Sequence, residues 1–132
     1  MADMIQFDLV SPEKKLASVE ATMVELPGME GDLAAMPNHS PLLTTLRPGL
    51  IKVHGTSGVT EYVVTGGFAE ISDAGTTVLA EQAMDKETVT RDSIEALLAD
   101  ASASAETADD LSKTALNQRV SDLNALLGDL GL

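Results

Sequence analysis

Few side chains in this sequence could do chemistry, and their spacing limits what they could do. The only imidazoles are His39 and His54. His39 lies in Pro37-Asn-His-Ser-Pro41, a rigid turn with Ser40, Thr44 and Thr45 close by. That grouping invites comparison with a hydrolase triad, but it lacks the strand–nucleophile–helix setting that presents such a serine. His54 falls in Lys52-Val-His-Gly55, a strand-like run that places it toward solvent. With no cysteine, a zinc site would need more nitrogen and sulfur ligands than the chain offers, and a thiolate nucleophile or disulfide scaffold is excluded. The glycines of Leu26-Pro-Gly-Met-Glu-Gly31 are not followed by the Lys-Ser/Thr that a phosphate loop requires. Gly66-Gly67 lies between two strand-like runs, where a bulge or tight turn is the expectation. Glu30 and Asp32 flank Gly31 at a loop tip, too solvated to be tuned as an acid–base pair and better suited to an exposed contact. No catalytic, cofactor-binding or metal-binding set can be assembled.

The elements that carry these residues change period partway along the chain. Up to about Met84, short runs with alternating apolar residues (Ile5, Phe7 and Leu9; Leu50–Val53; Glu61–Val64; Phe68–Ile71; Thr76–Ala80) are separated by turn residues at hairpin spacing. Val19, Ala21 and Met23 continue the alternation, and Val24 and Leu26 mark a change of face. Strands at this density without intervening helices predict an antiparallel β-sandwich or barrel. After about Asp85, Ile94, Leu98, Ala101 and Ala105 share one helix face. Leu116, Val120, Leu123, Leu127 and Leu130 form a narrow seam on a second helix. Asp92 with Glu95 and Thr107 with Asp110 read as helix starts, a turn is expected near Ala105–Glu106, and Gly128 is placed to end the second helix. The reading is therefore mainly β plus α: a sandwich domain over 1–86 and an antiparallel helical hairpin over 87–132.

Composition narrows the function. The 132 residues carry 21 acids and 8 bases, a net charge of −13, so the field repels nucleic acid and anionic lipid alike. The start of the chain has no export or transit pattern, and no apolar run approaches the ~20 residues that span a bilayer. A soluble protein is predicted, with any membrane association made through a protein partner. Only Phe7, Tyr62 and Phe68 are aromatic, too few for the convergent aromatics of a free-standing ligand-binding sandwich, which is the alternative reading alongside a free-standing protein-binding module.

Two stretches carry the reading further. Glu25-Leu-Pro-Gly-Met-Glu-Gly-Asp-Leu-Ala-Ala-Met-Pro-Asn-His-Ser-Pro-Leu-Leu-Thr44, continued by Leu46-Arg-Pro-Gly-Leu-Ile-Lys-Val53, resembles the signature loop of the epsilon subunits of bacterial F-type ATP synthases. Gly66-Gly-Phe-Ala-Glu-Ile71 followed by Thr77-Val-Leu-Ala-Glu81 resembles that family's second signature. The resemblance covers nearly all of residues 1–85; beyond them it rests on helical pattern alone.

The resemblance implies a ten-stranded sandwich at the foot of the central stalk. It would be a non-catalytic rotor subunit linking the gamma shaft to the membrane c ring and coupling proton translocation to ATP synthesis. Its place would be peripheral, on the cytoplasmic face of the bacterial inner membrane. Glu30 and Asp32 would face the polar loops of the c ring, and Ser11, His39 and Thr44 would lie toward gamma. The hairpin would reach the alpha/beta head only as a weak brake on ATP hydrolysis. Relatives that bind ATP begin the first helix Ile/Leu-Asp-x-x-Arg-Ala, whereas here Ile94-Glu-Ala-Leu-Leu-Ala99 puts Leu98 in place of the arginine. Leu cannot supply the charge-assisted contact a phosphate needs, so no nucleotide cofactor is expected.

Overall fold

In a computed structural model, residues 4–37 and 40–131 are described. The chain divides into two compact units, 1–86 and 87–132.

Among its described residues the first unit holds ten strands: β1 (Ile5–Val10), β2 (Lys15–Ala21), β3 (Met23–Gly28), β4 (Gly31–Ala35), β5 (Leu42–Leu46), β6 (Gly49–Gly55), β7 (Gly58–Val64), β8 (Gly67–Ile71), β9 (Gly75–Ala80) and β10 (Ala83–Asp85). They form one hydrogen-bonded path, β10-β7-β6-β3-β5-β8-β9-β1-β2, with β4 paired to β3 off that path. The path narrows at β3–β5, joined by the single register pair Gly28–Leu46. There it turns a corner, and its two halves face each other across the core. The expectation of a wholly antiparallel sheet needs one correction: β1 runs parallel to β9, with Phe7 beside Thr76 and Leu9 beside Val78. Alternation within a strand reports which face is buried but not which neighbour the strand takes.

Inward positions follow the period of two. Ile5, Phe7, Leu9, Val24, Leu26, Ile51, Val53, Val64, Ala69, Ile71 and Val78 are buried together. Phe7 meets Tyr62 with ring centroids 6.5 Å apart. Burial raises the Tyr62 hydroxyl pKa above its ordinary range, and the Asp85 carboxylate adds to this. The change of face before Val24 occurs at Thr22, whose N–H and hydroxyl both donate to the His54 carbonyl (2.8 and 3.0 Å). Val19 stays exposed although it pairs with Phe7, because β2 ends the sheet path. Thr76 is buried, and its hydroxyl has no hydrogen-bond partner among the described residues. A buried unpaired hydroxyl costs about 1–3 kcal/mol, so isosteric Thr76→Val should stabilise the protein by about 1 kcal/mol, read as a rise in Tm. A lower Tm would mean that the hydroxyl bonds a group that valine cannot replace.

The second unit is a helical hairpin of α1 (Arg91–Thr107) and α2 (Asp110–Leu130). Its boundaries correct the sequence reading. The α1 cap is Thr90, accepting from the Ser93 N–H at 3.2 Å, and Asp92 already lies in the first turn. The break falls at Ala108–Asp109, not at Ala105–Glu106, because Asp109 caps α2 by accepting from the Ser112 N–H at 2.8 Å. That N–H is the first cause holding the Asp109 carboxyl below its ordinary range. Gly128 stays helical, and Gly131, at φ 70°, supplies the left-handed C-cap. Ile94, Ala101, Ala105, Leu123 and Leu126 are buried, whereas Leu98, Leu116, Val120, Leu127 and Leu130 are partly so. Leu126 was not among the expected seam residues. The seam drifts by one position because a 3.6-residue turn does not keep strict four-and-three steps.

Candidate functional site

The outward faces of the two half-sheets differ sharply. On the half containing β3, β6 and β7, Glu25, Lys52 and Glu61 stand opposite one another across three strands. Lys86 Nζ reaches Glu61 at 2.7 Å, and His54 Nε2 lies 2.7 Å from Glu25 Oε2. His54 is thus half-buried and paired rather than simply solvent-facing. Charges alternate in sign along this ladder, so its charged groups pair within the chain, while Val59, opposite His54 on the same face, is exposed.

The half containing β5, β8, β9 and β1 presents hydrocarbon. Register places Thr45, Phe68, Leu79 and Val10 in one outward row, with Leu43 and Glu70 in the next. Leu43 is 69%, Phe68 54% and Leu79 57% exposed. Contiguous exposed apolar side chains on a folded domain mark an interaction surface. At the margin of this strip, the Ser18 hydroxyl is the first cause holding the Asp8 carboxyl below its ordinary range. Gln6 and Lys15 act in the same direction, and partial burial opposes them.

The residues expected toward gamma are not brought together. Ser11 lies in the β1–β2 turn, where its N–H donates to the Lys14 carbonyl at 2.9 Å. Thr44 is on β5 opposite Ala69, with the parity of buried Leu46, and so belongs to the inner face rather than to the strip. Three strand steps, roughly 14 Å, separate β5 from β1. His39 lies outside the described residues. The strip between Ser11 and Thr44 escaped the sequence reading, although its signal was present: Phe68 and Leu79 occupy outward positions of runs whose inner positions already supply the core.

Glu30 and Asp32 do lie on one hairpin. Gly28 pairs with Gly31, leaving Met29 and Glu30 at the turn, both exposed. Asp32 is not a free acid, because it forms an ion pair with Arg47, which sequence reasoning passed over. Among the described residues, no group of three or more histidines or acids is placed to hold a metal ion. No described helix is long and apolar enough to cross a membrane.

An apolar strip on one half-sheet, a ladder of paired charges on the other and a braced acidic tip define a β-sandwich built to dock onto other proteins. Residues 4–86 match the family described as ATP synthase, Delta/Epsilon chain, beta-sandwich domain. The ATP synthase epsilon chain of Rhodobacter capsulatus is 46% identical over the full length of both chains. That of Ruegeria sp. (strain TM1040) is 55% identical over 101 residues, covering 76% of this chain and 74% of the relative. In fold, the chain is similar to a solved chain of the Euglena gracilis mitochondrial ATP synthase (OSCP/F1/c-ring), with a TM-score of 0.75 and 20% identity, covering 96% of this chain and 81% of that one. The chain belongs to the ATP synthase epsilon chain family. As a member it is a subunit of ATP synthase, in the rotor stalk of that complex.

Proposed function

We propose that this chain is a non-catalytic link in the stalk, fastened to the gamma shaft through its sandwich and touching the c ring with the Met29–Glu30 tip. The observation that carries the reading is the Leu43–Phe68–Leu79–Val10 strip. Exposed ion pairs contribute only about 0–1 kcal/mol each, so a permanent joint to a rotating shaft needs apolar area, and in the strip exposed apolar side chains stand side by side on adjacent strands. Ser11, His39 and Thr44 make up the expected gamma set, of which Ser11 lies in the turn that follows β1, at the Val10 end of the strip. Glu30 and Asp32 are the acids offered to the ring. Attachment through protein alone fits a net charge of −13, which opposes anionic lipid, and supports the reading of a peripheral subunit, on the cytoplasmic face of the bacterial inner membrane as the family resemblance implies.

The hairpin adds at most a weak brake at the alpha/beta head. Residues 92–132 hold eight acids against Lys113 and Arg119, and an acidic partner surface would repel them. Leu98 is partly buried and offers no cation to a phosphate. The core cluster of the sandwich lies wholly within residues 5–80, so residues 1–86 have their own core. Membranes lacking the subunit, supplied with residues 1–86 alone, should regain proton-driven ATP synthesis, with ATPase activity less than about twofold above that of the full chain, a difference under ~0.5 kcal/mol. Failure to restore synthesis would make the hairpin part of the clasp, and a several-fold rise in ATPase would make it a true brake.

A further inference from the structure

Arg47 sits at the base of the β3–β4 hairpin. It follows β5, and its backbone N–H donates to the Pro27 carbonyl at 2.9 Å. Its guanidinium forks: Nη1 donates to the carbonyl of Gly28, the last residue of β3, and Nη2 to the carboxylate of Asp32, the second residue of β4. One planar group therefore holds both legs of the hairpin just below its turn. The Met29 N–H, donating to the Thr45 carbonyl at 2.9 Å, completes a three-point attachment of the tip to the end of β5. The main-chain bonds here flank the single register pair Gly28–Leu46 and reach only the β3 leg and the turn, so the guanidinium is what ties in the β4 leg through Asp32.

We propose that Arg47 is a positioning residue that sets the pose of the Met29–Glu30 tip, and that by neutralising Asp32 it leaves Glu30 as the acid presented to a cationic loop of the partner. The second half rests on the reading of this tip as the docking element; the first does not. The Arg47 side chain is 29% exposed, against 79% for Asp32. Its bond to the Gly28 carbonyl is thus the better sheltered of the two, and the exposed ion pair is the weaker contributor. A lysine has the charge but not the fork, and its single ammonium cannot hold both legs in the same geometry.

Amide hydrogen exchange in the full-length protein tests the splint without any partner. Arg47→Ala should speed exchange over residues 29–33 about tenfold, equivalent to about 1.4 kcal/mol, and leave β8 and β9 unchanged. Arg47→Lys should recover only part of that protection, and Asp32→Asn should speed exchange only about twofold. Unchanged exchange at the tip, or equal acceleration throughout the sandwich, would overturn the splint. Association with a purified gamma–c ring rotor at low salt then tests the acid. Glu30→Gln and Arg47→Ala should each weaken it several-fold, and Asp32→Asn less. A stronger effect from Asp32→Asn than from Glu30→Gln would overturn the assignment of Glu30. Full association of Glu30→Gln, with the tip still loosened in Arg47→Ala, would refute the docking reading and leave the splint standing.

Discussion

Alanine at Gly67 should cost the protein roughly 3–5 kcal/mol, a large share of the stability of a domain this size. Two penalties combine. Gly67 has φ 140°, where an L side chain is strained. It also pairs with Ala80 at the start of β8, so close to β9 that an added Cβ would lie 2.1 Å from the Leu79 carbonyl oxygen and 2.9 Å from the Ala80 Cα. Both obstacles are backbone, which cannot rotate aside as a side chain would. Relief would require β8 and β9 to part where they carry the outward strip. Gly128→Ala is the matched control: that glycine is helical, nothing lies within 4 Å of its added Cβ, and the change should be neutral or stabilising by up to about 1 kcal/mol. Urea denaturation of the two variants measures the contrast. Similar midpoints for both would show that the β8–β9 approach is looser than described.

Putting charge on the strip should abolish docking without harming the fold. Phe68 and Leu79 are directly opposite and both exposed. Phe68→Glu combined with Leu79→Lys therefore replaces an apolar cross-strand pair with an ionic one, and like charges never face each other. The Tm should move by no more than a few degrees, because neither side chain is part of the core. Affinity for gamma should fall at least 100-fold, as expected when two anchors worth about 2 kcal/mol each become desolvated charges. Lys52→Ala, in the charge ladder of the other half-sheet, should leave binding unchanged. Tight binding by the double variant would move the gamma surface away from this sheet.

The two units were unequally legible in the sequence. Alternation located the strand runs because burying one face of a strand imposes a period of two, and Ile5, Phe7 and Leu9 hold that parity in the fold. The helix faces were readable for the same reason at a period of 3.6, and Ile94, Ala101 and Ala105 are all buried. Helix ends were read less well. Thr90 and Asp109 won the caps over Asp92 and Thr107 because a cap depends on which side-chain oxygen meets a free N–H, a geometric matter that several nearby polar residues could satisfy.

What the sequence determined by itself was local: which residues turn inward, where glycine is required, and the order of motifs that resembles one family. The remaining features are non-local and arise when the chain closes on itself. The parallel β1–β9 pair, the row made by Phe68, Leu79 and Val10 from three strands, the pairing of His54 with Glu25, and the grip of Arg47 on Gly28 and Asp32 all join residues far apart in the chain. Periodicity constrains the face a side chain takes, because neighbouring residues share one backbone. It does not constrain which strand lies alongside, because that choice is made by closing long loops around a common core.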